Sequence, residues 1–284
     1  MSGTFRAVQI SPRYDGPVVL TMDGAVPDPG LAVTRQRRRM EQTLVGLSPE
    51  AWASPSRCDG WSVRDVIAHL ATVNQFFEAS VRAGRAGTPT QMLASFDPAA
   101  HPDMLVEALG PISTNEVFEM FVASNDGLLS AVAEVSGDEW SLLAEAPPGH
   151  VGIDRVVDHA LWDSWVHERD IAVPLGLAME EEADELAACL RYVAAVGPAL
   201  GAGHPGRFIG TLAVVATDPE THFTVVAGET VAVKEGPGAS DAPCLRGTAV
   251  ELIDALSFRS ALPSGAPEEW QHMMAGLAAA FATE

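Results

Sequence analysis

Apolar positions recur with two different periods along this chain, helical in the front two thirds and alternating in the back. Residues 31–47 carry the first helical pattern. The next helix has an explicit start: Ser62 can cap it, Asp65 completes a capping box, and Trp61 with Val66 are placed as a hydrophobic staple. Val63, Val66, Ile67, Leu70, Val73 and Phe77 then form a core stripe, with His69 at its edge. A connection over 84–111 is longer than bundle loops usually are; it contains His101, expected to be exposed and inert. A further helix spans 114–135, with Val117, Phe121, Ser124, Leu128 and Val132 near core spacing, and Pro147, Pro148 and Gly149 break the chain after it.

The helix predicted over 155–176 departs from the usual pattern. On a wheel of about 100° per residue, His159, Asp163, His167 and Asp170 fall in one stripe with Val156, Ala160 and Val166 in or beside it. The titratable groups therefore lie where a core face belongs. Burying them costs several kcal/mol unless something compensates. A metal ion compensates, because ligands at i and i+4 stack one above the other, as Asp163 and His167 do. A buried hydrogen-bonded Asp–His pair compensates as well, and a third ligand from another helix is needed to decide. Pro174 and Gly176 end the helix.

Behind it lies an acidic helix over 180–196 and a Gly- and Pro-rich segment, 197–206, that suggests an interdomain linker. Residues 207–217, 221–227 and 230–236 alternate and are rich in β-branched side chains, as antiparallel strands are. A helix follows over 248–259, and a last one from about 267. The expected fold is α+β, with residues 1–30 an extended leader holding one short apolar run, 31–196 a helical domain and 207–284 a small α+β domain.

Composition narrows the function. A net charge of -21 over 284 residues argues against nucleic acid or an anionic membrane as partner. No apolar run approaches the ~18 residues of a membrane span, and no signal-like start is present, so a cytoplasmic protein with a small-molecule substrate is expected, as monomer or homodimer. Cys58, Cys189 and Cys244 are widely spaced and are expected to be buried spectators. The run Arg35, Arg37, Arg38, Arg39 fits a solvated helix face better than an anion site.

His69 supplies the third candidate ligand. Two imidazoles and a carboxylate suit Zn²⁺ or, less selectively, another divalent metal, and three protein ligands leave a coordination position open, as in catalytic sites. His159 is placed as a fourth ligand or an orienter, Asp170 as the group that fixes an imidazole tautomer or pairs with an arginine, and His150 as a weaker candidate.

Two segments, RCDGWSVRDVIAHLATV and HALWDSWVHERDIAVPLG, resemble the signature segments of the mycothiol-dependent maleylpyruvate isomerase family. The resemblance covers roughly 31–176 and implies a DinB-like four-helix bundle; LRGTAVELIDALSFR is similar to the sterol-carrier-like α+β domain that often follows it. It implies that the metal is held by a His of the first segment and a Glu-x-x-x-His pair of the second, carried here by His69, Asp163 and His167, with Asp163 in place of the usual Glu. It implies an arginine late in the chain for an acidic substrate group, matched by Arg259 with Arg246 competing. It further implies mycothiol as thiol cosubstrate, for cis–trans isomerisation or S-transfer. A non-catalytic binding or regulatory module with an altered metal site, and a hydrolase using metal-bound water, are the alternatives.

Overall fold

The structure, a computed structural model, describes residues 8–24, 28–97, 100–236 and 243–281. Its helices are α1 (Pro29–Val45), α2 (Pro49–Trp52), α3 (Val63–Arg85), α4 (His101–Ala108), α5 (Thr114–Ala133), α6 (Ile153–Leu175), α7 (Ala183–Leu200), α8 (Ala249–Leu256) and α9 (Glu268–Phe281). Its strands are β1 (Leu20–Met22), β2 (Leu143–Ala146), β3 (Gly149–Gly152), β4 (Gly210–Thr217), β5 (Thr221–Ala227), β6 (Val231–Glu235) and β7 (Cys244–Thr248). The fold is α+β. None of the described helices is long and apolar enough to cross a membrane.

Four helices close a ring in which α1 packs on α5 and α6, and α3 packs on both α5 and α6. The capping box expected at Ser62 and Asp65 opens α3. Its apolar stripe is buried at Val63, Val66, Ile67, Leu70 and Phe77. At the far end of α6, Gly176 takes φ +65, a left-handed cap that a Cβ would strain.

The second half is a mixed sheet in the order β1-β6-β5-β4-β7. Its centre is antiparallel, and β1 and β7 add parallel edges. Leu212 faces Val225, Val214 faces Phe223, and Val225 faces Val233, so one sheet face is a continuous apolar surface. Helix α7 packs against that surface and, on its other side, against α6 and α8.

Several elements depart from the sequence-based expectation. Residues 197–206 do not begin as a linker: Gly197 and Pro198 are buried in the last turn of α7, which both halves of the molecule need as a wall. The connection 84–111 contains α4. The Pro–Gly break before α6 is the turn of a β2–β3 hairpin, where Gly149 has φ +118 and any Cβ would collide with the Arg13 backbone. The arginine run is only in part a solvated face: Arg38 is exposed, but Arg37 and Arg39 turn inward. Arg37 is fully buried and donates to the Ala160 carbonyl at 3.0 Å. Arg39 bridges Glu168 at 2.9 Å and Glu185 at 2.8 Å, clamping α1 to α6 and α7. The leader contributes β1 at the sheet edge.

Candidate metal centre and its cavity

Helices α3 and α6 run antiparallel, so that His69 meets His167, ring centroids 5.1 Å apart, and Phe77 meets His159 at 5.4 Å. Asp163 lies between the two imidazoles. Its Oδ1 is 3.6 Å from His167 Nε2 and 4.0 Å from His69 Nε2. One ligand atom from each of His69, Asp163 and His167 lies within 4.8 Å of the others. Ligands about 2.1 Å from a tetrahedral zinc stand about 3.4 Å apart, so these side chains need only small rotations to share one ion. Asp163 Oδ2 and His69 Nδ1 are buried with no hydrogen-bond partner. A buried carboxylate oxygen left without a donor costs about 1–3 kcal/mol or more, which a cation would recover. The residues therefore fit a divalent metal.

Asp170 holds this arrangement from behind. It sits one turn beyond His167 and is fully buried. His167 Nδ1 lies 3.0 Å from its Oδ2, which leaves Nε2 pointing toward Asp163. Arg259 donates to Asp170 through Nε at 2.8 Å and Nη2 at 2.7 Å, and Arg57 Nε stands 3.2 Å from the same carboxylate. The role expected of Asp170 thus takes both forms at once, imidazole partner and arginine partner. Arg259 reaches it because Phe258, at φ +61, turns the chain back after α8.

Charge follows from these contacts. Burial alone would lower the pKa of His167; its bonds to Asp170 and Cys58 and the charge of Asp163 outweigh that and raise it to about 10. Burial lowers the pKa of His69, against the pull of Asp163. Burial would raise Asp163, yet the two neighbouring imidazoles hold it well below the usual carboxylate range.

Above the three candidate ligands opens a cavity of about 1380 Å³. It runs along the α3–α6 groove and is closed by Leu256, Phe258 and Leu277 from the back of the chain and by Leu93 and Phe96 from the 84–111 connection. Arg259 lines it, whereas Arg246 is exposed on β7 and does not.

Three expectations are corrected here. His159 joins the cavity wall but not the ligand cluster, because its Nδ1 is held by the Tyr192 hydroxyl at 2.7 Å. His150 is drawn away to the Thr90 carbonyl, at 2.8 Å. Cys58 is no spectator: its Sγ donates to Asp170 at 3.2 Å and lies 3.7 Å from His167 Nδ1. Arg57, Cys58 and Trp61 were not anticipated at the site. The signal was present, since the Asp59–Gly60 turn just before a capped helix start can fold a side chain back over that helix. His101 stays outside the cavity lining but is half-buried rather than exposed, its Nδ1 accepting from the Asp97 amide at 2.6 Å and its ring packing 5.2 Å from Phe96.

Comparison with known proteins bears on this geometry. The mycothiol maleylpyruvate isomerase N-terminal domain family matches residues 33–172, the span that holds all three candidate ligands. That span belongs to the family. The crystal structure of a mycothiol-dependent maleylpyruvate isomerase superposes with a TM-score of 0.60 at 17% identity, covering 87% of this chain and 96% of that one. A point mutant of the mycothiol-dependent maleylpyruvate isomerase gives 0.61 at 16% identity, with the same coverage. At that identity the likeness establishes the maleylpyruvate isomerase fold across both halves. No curated protein matches the chain.

Proposed function

We propose that this chain is a metal-dependent enzyme using mycothiol as cosubstrate, either for cis–trans isomerisation or for S-transfer to an electrophilic small molecule. One observation carries the proposal: two imidazoles and a carboxylate converge at the floor of a cavity with room for a thiol and an acceptor together. The family of residues 33–172 and the solved neighbours, both mycothiol-dependent isomerases, support mycothiol as the thiol.

His69, Asp163 and His167 would hold the metal, and zinc suits that donor set. When bound, such a metal lowers the pKa of a coordinated thiol well below the roughly 8.5 of a free one. The protein's own groups prepare the rest. Asp170 fixes the ring of His167, and Arg57 and Arg259 fix Asp170. Trp61 packs 5.2 Å from His69 and steadies the second ring, while the apolar walls above exclude water. In isomerisation, sulfur adds to one carbon of an activated double bond, the remaining single bond rotates, and sulfur leaves. In S-transfer the carbon–sulfur bond stays.

The test is metal analysis of protein purified without chelator or nickel resin, followed by incubation with mycothiol and an electrophile. A stoichiometric divalent metal and a sulfur adduct or isomerised product are expected. A product carrying a water oxygen and no sulfur dependence would point to a hydrolase instead, and the absence of bound metal would overturn the proposal.

A further inference from the structure

We infer that the electrophile accepted by this site is bulky, apolar and aromatic, with at most one carboxylate, and is not a small dicarboxylate; this rests on the thiol-transfer function proposed above.

The cavity has one polar end and one apolar end. From His69 to Phe77 the groove follows eight residues of α3, about 12 Å of helix. Val73, Phe76, Trp162 and Leu277 line it beyond the candidate ligands. Its rim carries Phe96, Leu105, Phe258 and Phe281, each more than a third exposed, an apolar margin that a substrate would cover.

Charge excludes a second carboxylate. Among the described residues lining the cavity, the guanidiniums are Arg57 and Arg259, facing the aspartates Asp59, Asp103 and Asp163. Neither arginine is free. Arg57 is engaged by Asp170 and, at 3.0 Å, by Asp254; Arg259 is engaged by Asp170 through two nitrogens. Two of the three lining hydroxyls are committed: Ser56 donates to the Trp61 carbonyl at 2.8 Å and Thr72 to the His69 carbonyl at 2.7 Å, while Ser257 accepts from Trp162 Nε1 at 2.9 Å and keeps a single neutral donor, too little to replace the water around a carboxylate. At the apolar end stands His159, bound to Tyr192 and held uncharged by burial, which pushes its pKa down to about 4. A dicarboxylate such as maleylpyruvate, with an anionic group at each end, would place one of them here, stripped of water and facing no cation. The net charge of -21 repels a dianion further.

With an aryl enone the step balances without an oxidant: the thiol S–H and the carbon–carbon π bond are consumed, and one C–S and one C–H bond form. Zinc-reconstituted protein with mycothiol should convert benzylideneacetone to its mass-identified sulfur adduct with kcat/KM about 100-fold above that for maleylpyruvate, after subtraction of the uncatalysed rate. Phe96→Asp, a change at an exposed rim position, should raise KM for the enone about tenfold. A second arm needs neither thiol nor metal. The fluorescent probe 8-anilinonaphthalene-1-sulfonate should bind the full chain and be displaced by 4-phenylbutan-2-one but not by maleate. Faster turnover of maleylpyruvate, or displacement by maleate alone, would overturn the inference while leaving thiol chemistry standing. Displacement by the phenyl ketone with no sulfur adduct from any electrophile would uphold the apolar cavity and remove the thiol function.

Discussion

Asp170 shows how little of a site's organisation a single side chain reveals in sequence. As a carboxylate three residues after a histidine it has several ordinary uses, and only the fold brings Arg57, Cys58 and Arg259 to it from two distant stretches. His69, Asp163 and His167 were legible because helical spacing alone aligns the last two and a capped stripe locates the first. Cys58 was harder to place, since the Asp59–Gly60 turn beside it marks a reversal of the chain but, having no period, does not say which side chain it aims. His69→Ala and His167→Ala should each abolish stoichiometric metal, measured by inductively coupled plasma mass spectrometry, together with thiol-dependent activity. Full retention in both would remove the metal assignment. Asp170→Asn should leave the ligands in place but weaken metal affinity about 10- to 100-fold, as loss of an orienting partner does.

The charge state of His167 gives a prediction with a definite sign. Its folded-state pKa of about 10 lies above that of a free imidazole, about 6.5, so its ion pairing stabilises the metal-free protein fully below the lower value and is lost as pH rises through the higher. The melting temperature of metal-free protein should fall between pH 7 and pH 10, and fall less in Asp170→Asn. Zinc uptake at pH 7.5 should release about one proton from this ring, read from binding heats in buffers of different ionisation enthalpy.

Among elements, those with a strong period or an explicit cap were readable: α1, α3, α5, α6 and the three central strands. The missed ones are short. β2, β3 and β7 have four or five residues each and owe their existence to neighbours, β7 to its parallel pairing with β4 and the hairpin to packing beside α3. The Arg39 clamp was misread because helix charge patterns look alike whether they face water or another helix's carboxylates. Since Glu168 and Glu185 are both buried, Arg39→Met should destabilise the protein by about 3–5 kcal/mol in urea denaturation, the cost of orphaning a buried ion partner. No change in midpoint would mean the clamp is solvated after all. Glu145 plays a similar part on β2. Fully buried, it accepts from the Tyr14 and Thr90 hydroxyls and from the amides of Met92 and Leu93, and so anchors the stretch that carries Leu93 and Phe96 over the cavity. Glu145→Gln should speed limited proteolysis between residues 88 and 97 without shifting far-ultraviolet circular dichroism.

Across the whole molecule the class of fold was legible, but the partition into separately cored halves was not. The main apolar cluster runs without interruption from Val156 and Trp165 on α6 through Tyr192 on α7 to Phe223, Val225 and Trp270. Urea unfolding should therefore be one transition, coincident by tryptophan fluorescence and circular dichroism; two resolved transitions would contradict a shared core. The cavity is built the same way, with floor from α3 and α6 and roof from α8 and α9. Arg259 reaches Asp170 across 89 positions of chain. A nascent polypeptide emerging from the ribosome carries Arg57 but only that one of the two guanidiniums that grip Asp170, because the second has not yet been synthesised. The buried carboxylate behind His167 is thereby fully paired only once translation has passed the last-but-one helix.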